Sequence, residues 1–257
     1  MFDKEKFVHE INTQGYSIVR NALNAEFITE AKLRLAEAIE KEVDFHKSKD
    51  YNDYGMVLCC PLYNKVFSDL FDFLMVSEPL ESILGEGCIT YAHTSSSMPP
   101  KSSNYSNRIH TDCPRIIPNY VTNMGATILL DDFNEENGAT WFLPNSQERI
   151  ESPTKDEFYS EGLRLIEKAG TIWFFNARIW HSGGNNLTDS WRHALTINVV
   201  RPWMKQRIDI PKAMKNIDTS MYSEKAKQKL GFYAQVPSSY EEYYVPMEKR
   251  KFKQKTV

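Results

Sequence analysis

The stretch between residues 88 and 203 places the strongest constraint on the fold of this chain. It contains short runs rich in β-branched and aromatic residues, separated by turn-forming segments such as 131–138 and 144–146. Runs of this kind, bounded by Gly, Pro, Asn and Asp, are typical of β-strands. The strand candidates are residues 88–94, 121–130, 139–143, 170–175 and 192–200. Short strands with frequent turns, preceded by helices, predict a mainly β fold: a barrel or double sheet flanked by helices.

The first 87 residues predict the helices that flank this core. Apolar residues recur at helical spacing from Phe27 to Ile39 with charged residues between them, and Asn24 is well placed as an N-cap. The same pattern predicts a shorter helix that ends near Gly15, a strand at 16–20, a helix at 66–74, and another that opens at Pro79 and ends at Gly85.

The length of the chain favours a single domain. A chain of 257 residues can form one large domain or two small ones, and β-barrels of this size are commonly single domains. No internal repeat or low-complexity linker divides the sequence. We therefore expect one domain over residues 1–257, with a mostly helical part at 1–87, the β-core at 88–203, and a C-terminal wrap and tail at 204–257.

Composition and charge exclude several classes of partner. Hydrophobic residues make up 41%, charged residues 25%, and the formal net charge is −3, which is ordinary for a globular protein. Binding to nucleic acid usually requires a basic face, and the single basic run at 249–255 predicts a solvated tail instead. No apolar run approaches the roughly 20 residues of a membrane span. We expect no nucleic-acid or membrane partner, and the sequence indicates nothing about oligomeric state.

The cysteines and the first residues favour a cytoplasmic protein. The four cysteines form no CxxC pair, and two of them, Cys59 and Cys60, are adjacent. A chain without a disulfide framework is typical of a reducing compartment. The residues after Met1 also lack the apolar core of a signal peptide. We therefore expect a cytoplasmic location.

Two short segments of the β-rich part carry potential metal ligands. His110 and Asp112 lie two residues apart, so on an extended segment their side chains point to the same side. Such a pair is common by chance, but His181 follows the aromatic run at 171–175 in a glycine-rich turn. Two histidines and a carboxylate on one face of a metal leave three octahedral positions open, the arrangement of non-haem Fe(II) oxygenases. The three residues therefore predict a metal site.

The strand predicted at 192–200 supplies a cation eleven residues after His181. Strand alternation places a small or polar set on one face: Arg192, Ala194, Thr196 and Asn198. The other face is mainly apolar. A small, polar face behind a cation suits a cavity that accepts a carboxylate, because a guanidinium can donate two hydrogen bonds to it. The alternative is a surface cation at a strand start, and the nearby metal ligand favours the cavity.

These segments form part of a longer pattern. It comprises His110-Thr111-Asp112, residues 129–131, Asn137-Gly138-Ala139-Thr140, residues 144–146, His181 and Arg192. The pattern resembles the phytanoyl-CoA dioxygenase family of Fe(II)- and 2-oxoglutarate-dependent oxygenases. The resemblance extends over about residues 88–203, with a fainter match in the N-terminal helices. It implies a double-stranded β-helix core, which is a cupin-like jelly roll.

The resemblance implies a role for each matching residue. His110, Asp112 and His181 would hold Fe(II), and Arg192 would bind the distal carboxylate of 2-oxoglutarate. Thr140, from its place in the Asn-Gly-Ala-Thr segment, would add a hydrogen bond to this cosubstrate. Such enzymes consume 2-oxoglutarate and O2 and release succinate and CO2. Halogenating relatives replace the carboxylate ligand by Ala or Gly, so Asp112 favours hydroxylation, or a related oxidation, of a small molecule.

Two positions depart from the family pattern. Members often carry Pro-Gly-Ser-His where this chain has residues 144–147, Pro-Asn-Ser-Gln. Many related oxygenases also have a hydroxyl residue two positions after the arginine, and here that residue is Ala194. Neither departure affects the three metal ligands. A second partner for the cosubstrate carboxylate must come from elsewhere, and Thr140 and Thr196 are the candidates.

Three residues are candidates for binding the substrate. Tyr105 lies in a polar, proline-containing loop at 98–107 that ends close to His110, so this loop either covers the site or only connects two strands. Arg115 would meet an anionic substrate group or form a loop salt bridge. His93 would face the cavity, or else be a hydrogen-bonded core residue.

Two other classes of function are compatible with these residues. Three protein ligands with open positions also suit zinc, so a cupin-like isomerase or hydrolase that uses Zn(II) or another divalent ion is the first alternative. A jelly-roll binding protein without catalysis is the second, since fold does not determine function. The combination of His110, Asp112, His181 and Arg192 argues against a pure binder. No motif in the sequence identifies a substrate.

Overall fold

A computed structural model describes residues 2–51 and 53–250. The basic run at 249–255 lies mostly outside these residues. The strands are β1 (Tyr16–Val19), β2 (Ile89–Ser95), β3 (Asn123–Leu129), β4 (Trp141–Phe142), β5 (Leu163–Arg164), β6 (Ile172–Asn176), β7 (His181–Ser182) and β8 (Ala194–Val200). The α-helices are α1 (Lys4–Thr13), α2 (Ala25–His46), α3 (Val66–Asp69), α4 (Leu74–Leu84), α5 (Lys155–Glu161), α6 (Ile210–Ala213), α7 (Glu224–Leu230) and α8 (Tyr240–Tyr243). Short 3-10 helices cover Cys60–Leu62, Leu70–Asp72 and Met247–Lys249.

The strands form two antiparallel sheets. The larger sheet has the order β1-β6-β3-β8-β2 and the smaller one has the order β5-β4-β7. An apolar cluster joins them: Phe142 of the smaller sheet packs against Trp173 of the larger one, with ring centroids 5.0 Å apart. The predicted double sheet of the cupin-like jelly-roll class is confirmed.

The helices cover the other face of the larger sheet. Leu195, Ile197 and Val199 of β8 belong to a cluster that also contains Phe7 of α1 and Leu35 of α2. The predicted apolar face of this strand therefore packs against the helical part. Because strand side chains alternate, the opposite face of β8, which carries Thr196 and Asn198, points away from the helices.

The predicted helices are partly correct. Asn24 caps α2 as expected, with its side-chain oxygen accepting a hydrogen bond from the Phe27 amide at 2.8 Å. For the helices predicted at 66–74 and from Pro79 to Gly85, the outer bounds are confirmed and the inner bounds were wrong. The first helix ends at Asp69, and α4 begins at Leu74 with Pro79 inside it. Pro79 lies in the second turn of α4, where it removes one backbone hydrogen bond, and its ring is buried.

The C-terminal segment packs against the end of α4 and the start of β2. Gln206 donates a hydrogen bond to the Thr90 carbonyl at 2.7 Å, and Lys229 donates one to the Glu86 carbonyl at 2.9 Å. Lys229 is fully buried and forms an ion pair with Glu81 at 2.8 Å.

All four cysteines are buried and free of disulfides. In the part of the chain that the structure describes, we find no helix with the length and apolarity needed to cross a bilayer.

Candidate metal and cosubstrate site

Backbone pairing brings the two metal-ligand segments together. The amide of His110 donates to the carbonyl of His181 at 3.0 Å, and the reverse hydrogen bond is 2.9 Å. Three residues after His110, the amide of Cys113 donates to the Ala177 carbonyl at 3.0 Å. These backbone hydrogen bonds join the segment at 110–113 to the segment at 177–181, which is about seventy residues away in the sequence. Asp112 lies between the two bonded positions.

The three predicted ligands converge on one point. Oδ1 of Asp112 lies 3.6 Å from Nε2 of His110 and 3.8 Å from Nε2 of His181. Nδ1 of His110 lies 2.7 Å from the Arg108 carbonyl, and Nδ1 of His181 lies 3.0 Å from the Ile179 carbonyl. A carbonyl only accepts hydrogen bonds, so each Nδ1 carries the proton and each Nε2 presents a lone pair. The ligand atoms lie within 4.8 Å of one another, a geometry that can hold a divalent cation.

The electrostatics of this group suit a metal ion. Burial lowers the pKa of His181 to about 4, although the Asp112 carboxylate opposes this shift. Burial raises the pKa of Asp112, but the neighbouring imidazoles of His110 and His181 outweigh burial and hold the pKa below its usual value. Burial also lowers the pKa of His110, and Asp112 more than compensates, so the net shift is upward. At neutral pH, Asp112 is therefore ionised and His181 neutral, as metal binding requires.

The triad opens into a small cavity of about 50 Å³. Trp173 and Phe175 form an apolar wall, with their rings stacked at 4.1 Å and Phe175 also against His181. The remaining lining residues are mostly polar: Ser96, Tyr105, Ser106, Thr127, Thr140, Gly183, Arg192 and Thr196. Four residues predicted from the sequence, Tyr105, Thr140, Arg192 and Thr196, thus line the cavity that contains the triad.

Arg192 is a buried cation without a counter-ion. Its side chain lies in the cavity wall and is only 2% exposed. Nε donates to the Asn137 carbonyl at 3.3 Å, Nη2 donates to the Gly138 carbonyl at 3.4 Å, and the guanidinium stacks 4.3 Å from the Phe133 ring centre. Within residues 2–51 and 53–250, no carboxylate lies within ion-pair distance of it. Burial lowers its pKa, an effect that Asp131 partly offsets. A buried charge left unpaired in this way indicates a site for an anionic ligand.

Hydroxyl groups near Arg192 are also free to bind a ligand. The side chains of Thr127, Thr140 and Thr196 line the cavity and make no hydrogen bond to another residue that the structure describes. Ala194 is fully buried in the apolar cluster between the sheets, so it contributes no polar contact. Thr127 was not predicted as a site residue. Only the strand register could have indicated it, because the register pairs Thr127 with Thr196 on one side and Trp173 on the other.

Two substrate candidates lie elsewhere. His93 pairs with Ile197 in the sheet, so its side chain points to the helical layer, where Nε2 lies 2.9 Å from the Phe67 carbonyl and the residue is 1% exposed. His93 therefore does not face the cavity. It is a hydrogen-bonded core residue, which is the second of the two alternatives. Arg115 is exposed and lines a different cavity, beside Ile11 and Arg178. It forms no salt bridge with any described residue.

Asn198 makes a contact that the sequence does not predict. Strand alternation places this residue on the same face as Arg192 and indicates no partner for it. In the structure, Nδ2 of Asn198 donates to Oδ2 of Asp112 at 3.3 Å. The two residues are 86 positions apart, so no local pattern could reveal the contact.

Comparisons with known proteins identify a family and several relatives. The family model for phytanoyl-CoA dioxygenase (PhyH) matches residues 11–194. An uncharacterized protein of Mycobacterium tuberculosis, Rv1501, is 26% identical over 254 residues, which cover 95% of this chain and 92% of the relative. An uncharacterized protein of Mycobacterium bovis, Mb1539, gives the same values.

Solved structures of non-haem enzymes share the fold. The epimerase SnoN, in complex with Fe3+, alpha ketoglutarate and nogalamycin RO, has a TM-score of 0.60 at 21% identity, covering 77% of this chain and 84% of SnoN. The alpha ketoglutarate dependent carbocyclase SnoK has a TM-score of 0.61 at 18% identity, with the same coverage. The non-haem monooxygenase ThoJ, as its Ni complex, has a TM-score of 0.62 at 14% identity, covering 79% of this chain and 80% of ThoJ. Since the family model spans most of the chain, the chain belongs to the phytanoyl-CoA dioxygenase family.

Proposed function

We propose that this protein is an Fe(II)- and 2-oxoglutarate-dependent oxygenase that hydroxylates a small molecule and releases succinate and CO2. One observation carries the proposal: a His-Asp-His group and the buried, unpaired guanidinium of Arg192 line the same cavity. The metal group alone would suit a hydrolase, and the guanidinium alone would suit many anions. Together they suit a ligand that chelates a metal at one end and carries a carboxylate at the other.

The residues fit both the metal and the cosubstrate. Two neutral imidazoles and one carboxylate are the ligand set of non-haem Fe(II) oxygenases, and they leave positions open for other molecules. When bound there, Fe(II) and 2-oxoglutarate supply the oxidative chemistry through reaction with O2. Three free hydroxyls and the Arg192 fork supply donors for the distal carboxylate. The stacked Trp173 and Phe175 exclude water from the metal side of the cavity.

Tyr105 stands at the substrate side of the cavity. It is 38% exposed, so it lies at the boundary with solvent. Burial of the hydroxyl and the nearby Asp112 charge raise the pKa of Tyr105 to about 12. The hydroxyl therefore remains protonated at neutral pH and is available as a hydrogen-bond donor to a polar substrate group. We propose this role for Tyr105, and none for His93 or Arg115.

The proposed function predicts a spectroscopic signal. We expect anaerobic addition of Fe(II) and 2-oxoglutarate to give a weak visible charge-transfer band, because the keto acid must chelate the iron. Succinate lacks the keto group and serves as the control that gives no band. Absence of the band in a folded, iron-loaded sample would overturn the assignment. A zinc-dependent isomerase or hydrolase, the remaining alternative, would bind metal but form no succinate under air.

Product analysis tests the type of reaction. The epimerase SnoN and the carbocyclase SnoK share this fold, so 2-oxoglutarate consumption alone does not identify a hydroxylase. Hydroxylation adds one oxygen atom to the substrate, whereas epimerisation leaves its mass unchanged and ring closure lowers it. Asp112 occupies the third ligand position and leaves no room there for a halide, which favours the hydroxylated product.

We also propose a cytoplasmic location, supported by four buried free cysteines.

Thr140 is expected to be the hydroxyl partner of the distal carboxylate. It lies two residues after Gly138, whose carbonyl accepts from Arg192. Hydrogen bonds to charged groups contribute about 1.5–3 kcal/mol, so Thr140→Val should weaken 2-oxoglutarate binding at least about 10-fold. Binding is measured by anaerobic calorimetry on the Fe(II) form. 2-Oxobutyrate lacks the distal carboxylate, so its affinity should not change. If only Thr196→Val shows the effect, the role belongs to Thr196.

A further inference from the structure

A chain of buried side-chain hydrogen bonds leads away from Asp112. Nδ2 of Asn198 donates to Oδ2 of Asp112 at 3.3 Å, and Nδ2 of Asn123 donates to Oδ1 of Asn198 at 3.2 Å. The hydroxyl of Thr122 then donates to Oδ1 of Asn123 at 2.8 Å. Asn198, Asn123 and Thr122 are only 7%, 5% and 8% exposed. Little solvent is therefore available to replace the hydrogen bonds among these three residues, whereas the one to Asp112 is only partly buried.

The ionised carboxylate determines the direction of the whole chain. Asp112 can only accept, so Asn198 must present its NH2 group to it. The amide oxygen of Asn198 then faces Asn123, which must present its own NH2 group in turn. The oxygen of Asn123 is left to accept from Thr122. Every donor thus points towards Asp112, and hydrogen bonds aligned in this way strengthen one another.

The chain engages one carboxylate oxygen and leaves the other for the metal. Oδ2 accepts from Asn198, while Oδ1 is the atom that lies 3.6 and 3.8 Å from the two imidazole nitrogens. A carboxylate held in this way offers one oxygen to a cation. In bidentate binding, which would occupy an additional coordination position, the metal would have to share Oδ2 with the Asn198 hydrogen bond.

Rigid elements hold these donors in place. Asn198 lies within β8 and Asn123 opens the neighbouring strand β3, and side chains on sheet strands are positioned more accurately than those on loops. Gly125 is the direct neighbour of Asn198 across the sheet. A Cβ at this position would lie 2.1 Å from the Phe175 ring, so the ring lies directly over the glycine. The Phe175 ring therefore shields the sheet beside Asn198.

We propose that Asn198 is a positioning residue that orients Asp112 for monodentate metal binding, and that Asn123 and Thr122 support it in that order. The proposal deepens the proposed function and rests on it only in taking Asp112 as a metal ligand. The structure also predicts a gradient, since each residue acts through the one before it. The effect on metal affinity should be largest for Asn198, smaller for Asn123 and smallest for Thr122.

Metal titration of the full-length, metal-free protein tests this order, with Co(II) as the probe. Loss of a residue that orients a metal ligand typically costs about 10–100-fold in affinity, which is the loss expected for Asn198→Leu. Asn123→Leu should show a smaller loss, and the nearly isosteric Thr122→Val the smallest. Thr90→Val is the matched control, because the Thr90 hydroxyl is buried in the same sheet without a hydrogen-bond partner. Its Co(II) affinity should equal that of the wild type.

Thermal unfolding of the metal-free variants separates positioning from folding. A positioning role predicts a loss of Co(II) affinity in variants that retain cooperative unfolding. Wild-type Co(II) affinity in folded Asn198→Leu would overturn the proposal. If that variant does not fold, wild-type affinity in both Asn123→Leu and Thr122→Val overturns it instead. Failure of the oxygenase assignment would look different: the wild type would bind Co(II), yet Fe(II) and 2-oxoglutarate would give no charge-transfer band.

Discussion

Asp112→Ala and His181→Ala are each expected to abolish 2-oxoglutarate turnover while the fold remains intact. Each substitution leaves two of the three converging ligand atoms. Residues that only orient a ligand typically account for about 10–100-fold in metal affinity, so loss of a ligand should cost on the order of 100-fold or more. Fe(II) affinity is measured by anaerobic calorimetry, and turnover by succinate release under air. Fe(II) affinity and succinate release should fall together, because 2-oxoglutarate binds the protein partly by chelating the metal.

Asp44→Ala provides the control for these variants. Asp44 lies on the exposed side of α2 and does not line the cavity, so its loss should change neither metal affinity nor succinate release. The fold of the ligand variants should survive, because the His110–His181 backbone hydrogen bonds do not depend on the side chains. Wild-type succinate release by folded Asp112→Ala or His181→Ala would show that the reactive metal lies elsewhere.

The parts of the site that local geometry determines were predictable from the sequence. His110 and Asp112 were predicted to point to one side because side chains alternate with a period of two, and in the structure their ligand atoms lie 3.6 Å apart. The same rule separated the Thr196 and Asn198 face of β8 from its apolar face. These predictions succeeded because each requires knowledge of only a few consecutive residues.

The parts that depend on strand pairing were not predictable. The sequence left His93 either facing the cavity or in the core, and only its pairing with Ile197 shows that it points towards the helices. The contact of Asn198 with Asp112 also depends on how distant segments meet. The two-residue strands β5 and β7 are too short to show any periodicity. Pro79 misled the helix prediction because the fold places it inside α4, with its ring buried, although proline usually begins a helix.

Arg192→Met is expected to weaken 2-oxoglutarate binding without destabilising the metal-free protein. Charged hydrogen bonds contribute about 1.5–3 kcal/mol, so affinity should fall about 10- to 150-fold. In the ligand-free state the guanidinium is buried without a counter-ion, and replacing such a charge by an apolar side chain is often neutral or stabilising. The Tm of the ligand-free variant should therefore equal or exceed that of the wild type. Arg192→Lys keeps the charge but loses the planar fork, so its affinity should be intermediate.

Arg201→Met supplies a matched control with the opposite pattern. Arg201 directly follows β8, whereas Arg192 precedes it. The guanidinium of Arg201 lies outside the cavity, where it stacks 4.1 Å from the Tyr120 ring centre. It donates hydrogen bonds to the carbonyls of Val121, Leu84 and Ile83. Its loss should lower the Tm and leave 2-oxoglutarate affinity unchanged. At a concentration 100 times the wild-type Kd, 2-oxoglutarate should add about 2.7 kcal/mol to wild-type stability, but only about 0.4 kcal/mol to a variant that binds about 100-fold more weakly. An Arg192→Met protein that 2-oxoglutarate stabilises as fully as the wild type would show that another residue binds the distal carboxylate.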